Sequence, residues 1–226
     1  MSEEYVIKPI AYIKSDFETK FGIPRQAGIV EGLRARIVFE EEYRNEDAFR
    51  GITEYSHIWL IWQFSENTDR KWNPTVRPPR LGGNEKMGVF ATRSPFRPNS
   101  LGLSCVRLIG IEKTQNEGPV LVVGGADLLN GTPIFDIKPY VPYADIVKDA
   151  KDGFSPKPDD YLEVVFSEKS DKALSEEKKN IIKEVLSCDP RPRYQNDENR
   201  IYGMSFDGNN IRFTVKGTRL TVIEIQ

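Results

Sequence analysis

Six short runs rich in β-branched and aromatic residues occur before residue 130, with few helical periods between them. The clearest is residues 33–39, where Leu33, Ala35, Ile37 and Phe39 alternate with Arg34, Arg36 and Val38, the period of a half-buried strand. Residues 55–64 (YSHIWLIWQF), 86–92, 101–111 and 119–127 share that composition, which suits a pleated surface. Residues 5–13 form a weaker sixth strand, because Pro9 has to sit at an edge or a bulge. One stretch, 43–50, is a short helix candidate. The first half is therefore expected to be mainly β, an antiparallel sheet or barrel.

Composition changes between residues 140 and 160, where Pro142, Gly153, Pro156 and Pro158 stand among alternating Asp and Lys. That is the make-up of a connector, and it divides the chain into residues 1–145, a linker at 146–159, and a C-terminal unit at 160–226. The tail begins with an expected strand at 161–166. It continues with a helix at 175–187, for which Ser175 is the N-cap, Glu176 and Glu177 suit the positive end of the dipole, and Ile181, Ile182, Val185 and Leu186 make the apolar stripe. Pro190 stops it. Strands at 201–206, 211–215 and 220–225 follow, separated by the turn pairs Asp207-Gly208 and Lys216-Gly217. A small α+β unit of this size is at the lower edge of independent stability, so it is expected to pack on the first domain or on a partner subunit.

Charge narrows the possible partners. The 32 Lys and Arg nearly balance the 34 Asp and Glu, for a net charge of −2, so a polyanion has to be met by a local patch. Residues 67–107 supply one: Arg70, Lys71, Arg77, Arg80, Lys86, Arg93, Arg97 and Arg107 stand against Asp69 and Glu85. Trp72 and Phe96 are interleaved with them, and prolines stiffen the segments around Arg77, Arg80, Arg93 and Arg97. Rigid arginines beside aromatic rings can pair with phosphates and stack on bases; a solvated loop whose arginines pair with the chain's carboxylates accounts for the pattern equally well. Two cysteines, Cys105 and Cys188, and one histidine, His57, provide neither a disulfide framework nor a zinc cluster. The acidic start has no apolar segment behind it and the longest apolar stretch, 57–64, is too short to span a bilayer, so a cytoplasmic protein without membrane or metal is expected.

Other segments carry weaker signals. Gly124-Gly125-Ala126-Asp127 follows an apolar strand, and its glycines permit close backbone approach, while Asp127 and Asn130 can hydrogen-bond hydroxyls or an amino group. Asn130-Gly131 is also a strong turn pair, and a turn is the favoured reading of this segment. It does not match G-x-G-x-x-G, so a Rossmann-type site is not expected. His57 beside Trp59 reads as a hydrogen-bonded structural residue, and a Cys105–His57 nucleophilic pair would require a contact between the two. Asp189 to Tyr194 (DPRPRY) makes a second rigid basic turn.

Residues 22–26 (GIPRQ), 56–59 (SHIW), 76–83 (VRPPRLGG), 87–99 (MGVFATRSPFRPN) and 127–140 (DLLNGTPIFDIKPY) together resemble the TsaA-like family, whose characterised bacterial members are TrmO-type tRNA methyltransferases. The resemblance runs from about residue 5 to 145, and the DPRP of residues 189–192 is similar to a motif of the longer bacterial members. It implies a homodimer built on a single-sheet antiparallel β-barrel, S-adenosyl-L-methionine as methyl donor, and the tRNA anticodon loop as partner. The product implied is an N6-methyl group on N6-threonylcarbamoyladenosine at position 37. By motif matching, the donor site implied is Pro24, Arg25, Gln26, Arg93, Leu103, Asp127, Leu128, Leu129 and Asn130, with Ser65 and Glu66 contributing. Two positions depart from the family pattern: Asn130 stands where Asp is frequent, and Ser65 where His can occur. Asp127 and Asp136 are the candidate bases for the N6 proton, Asp127 preferred for standing beside the donor; Arg77, Arg80, Arg97, Lys138 and Arg191 are the candidates for phosphates or the threonyl carboxylate. Two competing readings are a non-catalytic RNA-binding barrel, which needs no donor pocket, and a methyltransferase with another acceptor.

Overall fold

The structure, a computed structural model, describes residues 3–67, 71–155, 161–191 and 197–226, with Arg80 described by its backbone alone. The first part of the chain carries β1 (Ala11–Lys14), β2 (Arg34–Phe39), β3 (His57–Gln63), β4 (Thr75–Val76), β5 (Met87–Gly88), β6 (Leu101–Thr114), β7 (Gly118–Gly124) and β8 (Pro133–Pro139). Six of these close into one ring in the order β1–β2–β7–β6–β3–β8. All neighbours in the ring are antiparallel, and β8 completes it by pairing with both β1 and β3.

Period two decides what fills the ring. Ala35, Ile37 and Phe39 of β2 and Ile58, Leu60 and Trp62 of β3 point inward with Val106, Leu121, Val123 and Ile134. Phe39 meets Phe49 edge-on, 4.8 Å between ring centres. β3 differs from β2 in being apolar at both parities: Trp59 and Ile61 lie on its outer face, each half-buried.

Three expectations need correction. Residues 86–92 do not join the ring; Met87–Gly88 pairs with Thr75–Val76 as a separate two-stranded ribbon, and Val89–Ala91 turns as a 3-10 helix. The sixth place in the ring belongs to β8, whose prolines at both ends and Asp136 and Lys138 within concealed it. The first strand begins at Ala11, because Pro9 has no N–H to continue the ladder toward residue 5. Residues 43–50 form no α-helix: 3-10 turns occupy Glu41–Tyr43 and Glu46–Phe49, the second capped by Asn45, whose Oδ1 accepts the Asp47 N–H at 2.9 Å.

After the ring come α1 (Pro142–Asp145), β9 (Glu163–Phe166), α2 (Glu168–Asp171), α3 (Glu176–Ser187), β10 (Tyr202–Phe206), β11 (Asn209–Lys216) and β12 (Arg219–Ile225). The expected N-cap is present, the Ser175 hydroxyl accepting the Lys178 N–H. Asp207 and Gly208 both have positive φ, 48° and 70°, as the tight turn between β10 and β11 requires. The second sheet runs β10–β11–β12–β9, with β9 parallel to β12 and the other pairs antiparallel. Of the expected linker, residues 146–155 form neither strand nor helix, and 156–159 lie outside the described residues.

The core of the second sheet is not made by the tail alone. Ile182, Val185 and Leu186 of α3 pack over Met204, Phe213 and Val222, and Phe17, Val30 and Leu33 from the first part of the chain enter the same cluster. Phe17 meets Phe206 edge-on at 5.3 Å. The Asp16 carbonyl accepts the Asp207 N–H at 2.9 Å, and Glu184 accepts the Gly32 N–H at 3.2 Å. Residues 16–33 are thus held between the two sheets, and this anchors the loop that forms one side of the cleft described next.

Candidate active site

A cleft of about 730 Å³ opens where the loop at residues 20–26 and the loop at 92–97 meet the outer faces of β3 and β6, a volume in the range of small-molecule sites. Trp59, Ile61, Leu101 and Leu103 form its apolar wall, with Ile61 directly opposite Leu103 in the ladder. Leu103 is 56% exposed, which is unusual for a leucine on a central strand. The polar groups converge from other segments. Arg93 donates to Gln26 Oε1 across the cleft, and Gln26 in turn donates to the Arg25 carbonyl. Lys20 and Glu66 pair at 2.9 Å, both half-exposed.

Asp127 reaches this cleft from the turn after β7. Its Oδ1 accepts the Ser104 hydroxyl at 2.7 Å, and Ser104 Oγ accepts the Trp62 indole N–H at 3.0 Å. Burial pushes the Asp127 carboxyl above the ordinary carboxylate range; the Ser104 hydroxyl, the N–H groups of Asp127 and Ala27, and the charge of Arg93 oppose that rise. The glycines before it do admit a close approach, but of the neighbouring loop: the Gly28 N–H donates to the Gly125 carbonyl at 2.8 Å. Gly125 has φ 71°, and a Cβ there would lie 3.1 Å from the Gly28 Cα. The favoured turn reading of residues 127–132 also holds, since Thr132 N–H and Oγ1–H both return to the Leu129 carbonyl.

The structure gathers into the cleft residues 24–26, Ser65 and Glu66, Arg93, Leu103, and Asp127 with Leu129. Leu128 points the other way and is 1% exposed in the ring core. Asn130 is exposed, its amide donating to Glu18 at 3.1 Å and its Oδ1 accepting the Ser15 N–H at 3.3 Å. Asp136 lies on the outer face of β8, one strand from the cleft wall, 3.6 Å from Lys138.

Of the basic candidates, Arg97 lines the cleft but donates to the Thr92 carbonyl at 3.0 Å. Arg77 is exposed beside β4, and the Arg80 side chain lies outside what is described. Arg191 is engaged by Asp189 through two bonds of 2.9 Å and is nearly buried; residues 192–194 of that turn lie outside the described residues.

His57 is half-buried, with Nδ1 2.9 Å from the Ser56 hydroxyl and its ring against Tyr140. In the ladder it faces Arg107, whereas Cys105 faces Trp59. Burial and Asp145 push the Cys105 thiol up, the wrong direction for a nucleophile. Sequence reasoning missed Lys20, Ile23, Trp59, Ile61 and Thr92 as lining residues. The signal for Trp59 and Ile61 was present in the apolar character of both parities of β3, which marks a strand covered on two sides.

Comparison with known proteins settles the family. A family described as tRNA-methyltransferase O N-terminal domain matches residues 12–146, and the TrmO C-terminal domain matches residues 159–226. The chain belongs to the TrmO family. A relative from Escherichia coli K12, named tRNA (adenine(37)-N6)-methyltransferase, is 36% identical over 98% of both chains. One from Pseudomonas aeruginosa, named a putative S-adenosylmethionine-dependent methyltransferase, is 41% identical over 88% of this chain and 87% of its own. A solved structure of TrmO from Pseudomonas aeruginosa superposes with a TM-score of 0.80 at 31% identity, covering 99% of this chain and all of that one.

Proposed function

We propose that this protein is an S-adenosyl-L-methionine-dependent tRNA methyltransferase that methylates N6 of N6-threonylcarbamoyladenosine at position 37, beside the anticodon. Membership of the TrmO family supports the reaction class. The observation that carries the reading is the convergence in one cleft of an apolar wall, cationic groups and a partly buried carboxylate, drawn from residues 24–26, 93, 103 and 127. That donor set fits S-adenosyl-L-methionine. Trp59, Leu101 and Leu103 can cover an adenine, Glu66 and Gln26 can bond ribose hydroxyls or the ammonium, and Arg25 and Arg93 can balance the carboxylate. When bound, it would supply a methyl group on a sulfonium, ready for displacement in line by a nitrogen lone pair.

The chain's own task is then positioning and removal of one proton. N6 lies between the purine ring and a carbonyl, so its proton is acidic enough for a carboxylate to accept. Asp127 takes that role, because Asp136 lies outside the cleft on β8, where it pairs with Lys138 of the same strand. Arg97, Arg77 and Lys138 serve the anticodon-loop backbone, whose unpaired tip allows the modified base to enter without melting a helix. The protein acts as a homodimer in this reading; the exposed Ile109 on the outer face of β6 is what a second copy would cover. Among the described residues no helix is long and apolar enough to cross a membrane.

The test is mass spectrometry of tRNA nucleosides after incubation with S-adenosyl-L-methionine, using tRNA that carries or lacks threonylcarbamoyladenosine. Gain of one methyl on the modified nucleoside alone is expected. No gain on either tRNA, with the donor bound, would transfer the activity to another acceptor.

A further inference from the structure

Ser104 is 3% exposed, on the inward face of β6, in a ring interior that is otherwise nearly all apolar. Its two partners come from distant segments, Trp62 on β3 and Asp127 after β7. The geometry gives the chain a direction. An indole N–H only donates, so Ser104 Oγ accepts from Trp62 and is left with its own proton to donate, and Asp127 Oδ1 at 2.7 Å is where it goes. A protonated Asp127 Oδ1 could reverse the second bond, but the serine proton would then lose its acceptor in an apolar interior. A proton on Oδ1 is thereby disfavoured, and the Ser104 hydroxyl joins the Ala27 and Asp127 N–H groups in favouring the ionised carboxylate.

The chain has its own clearance. Gly102 stands directly opposite Trp62 in the ladder, and a Cβ there would fall inside the indole ring. Without a side chain at that position the indole can lie across β6 and reach Ser104 two residues further on. The same indole lines the cleft and packs on Phe64 at 4.4 Å between ring centres. Gly102, Trp62 and Ser104 therefore form one device ending on the cleft carboxylate.

We infer that Ser104, oriented by Trp62, is a positioning residue for methyl transfer: it fixes the Asp127 carboxylate in one orientation and holds it ionised, ready to accept the N6 proton. The inference rests on the reading of Asp127 as the base. In the step it serves, the N6–H bond would break and its proton pass to the carboxylate, nitrogen keeping the electron pair that forms the new bond to the methyl carbon, while the carbon–sulfur bond of the donor would break with its pair left on sulfur as a neutral thioether. Charges around the same cleft are Arg93, Arg25, Arg97 and the Lys20–Glu66 pair, and none of the variants below alters them.

The experiment is the pH dependence of single-turnover methylation of threonylcarbamoylated tRNA by the full chain, with circular dichroism to check folding. Ser104→Ala is expected to move the acid limb of the rate profile upward by about one pH unit, since a lost donor disfavours the charged carboxylate, and to lower the plateau about tenfold. Ser104→Thr restores the hydroxyl and the limb. Trp62→Phe, which also serves if Ser104→Ala does not fold, shifts the limb by less. A slower Ser104→Ala with an unmoved limb, or an unmoved limb in Trp62→Phe, overturns the inference and leaves the base reading intact. Asp127→Asn separates the two: a rate and limb like those of the unaltered protein would remove the base reading itself, and the inference with it.

Discussion

Both sheets bury polar side chains, and they satisfy them differently. In the C-terminal unit Ser170 on α2 donates to the Val222 carbonyl of β12, 52 residues on, and Lys179 pairs with Asp171 and Glu176, eight and three residues away. Each arrangement closes on itself. In the ring, Ser104 links residues 42 and 23 positions distant and its chain ends on a carboxylate lining the cleft. A buried polar group whose bonds end on backbone or on exposed carboxylates stabilises the fold, whereas one that delivers its hydrogen bond to a carboxylate in a cleft biases the charge of that carboxylate. In the proposed reading the ring carries the chemistry, and the C-terminal unit braces residues 16–33 through the core that Phe17, Val30 and Leu33 share with it.

The strongest test of that division is Phe213→Ala. Phe213 is fully buried in the second core, and its loss is expected to destabilise the protein by about 3–5 kcal/mol. Because Phe17, Val30 and Leu33 share that core, the urea transition followed by fluorescence of the ring tryptophans should shift with the one followed by circular dichroism. Separate transitions would show that the two regions unfold independently.

Gly102→Ala should have the next largest effect. The methyl has to displace the Trp62 indole, for an overpacking loss of about 1–3 kcal/mol in thermal or urea unfolding, and a reduced methylation rate should accompany it because Ser104 loses its partner. Unchanged stability would mean that the indole has another place to go.

Asp16→Asn tests the seam between the regions. Burial, Asp207 and Glu18 raise the Asp16 carboxyl above its ordinary 3.8, with Lys178 opposing them. A raised carboxyl disfavours the folded state once it ionises: the penalty is absent below the unfolded value, grows between the two and is complete above the folded one. The amide should therefore raise the melting temperature by a degree or two at pH 7, from a modest free-energy gain, and lose the advantage near pH 3. A gain that persists in acid would point to a cause other than charge.

The smallest difference concerns the two basic segments. Arg191→Ala should leave the salt dependence of tRNA binding unaltered, because its guanidinium is already held by Asp189. Arg77→Ala should lower the slope of log affinity against log salt by about 1. The reverse result would transfer the phosphate contact from the ring to the tail.

Much of this was legible in the residues, for identifiable reasons. Strand β2 and helix α3 could be read because local period and capping agree with the final environment at Leu33, Ala35 and Ile37 and at Ser175. Strand β8 could not, since its pairing with β1 and β3 is set by partners about 120 and 75 residues away, while its own prolines and charges argue for a loop. In the cleft, the motif residues carried their positions by resemblance. The link from Trp62 through Ser104 to Asp127 has no local pattern to betray it, because the three side chains converge only when β3, β6 and the turn after β7 are assembled. Asn130 shows the converse: it stands within a motif, yet its side chain is held by Ser15 and Glu18.

Strand β8 has a consequence for how the protein reaches this state. It alone closes the ring, joining β1 to β3, and it is the last of the six strands to leave the ribosome. Until residue 139 emerges, the hydrogen-bonding edges of β1 and β3 that it will cover stay open. Contacts of such large sequence separation place a ring of this kind among slow folders. The nascent chain therefore passes through an interval with two exposed strand edges, the window in which self-association competes with closure.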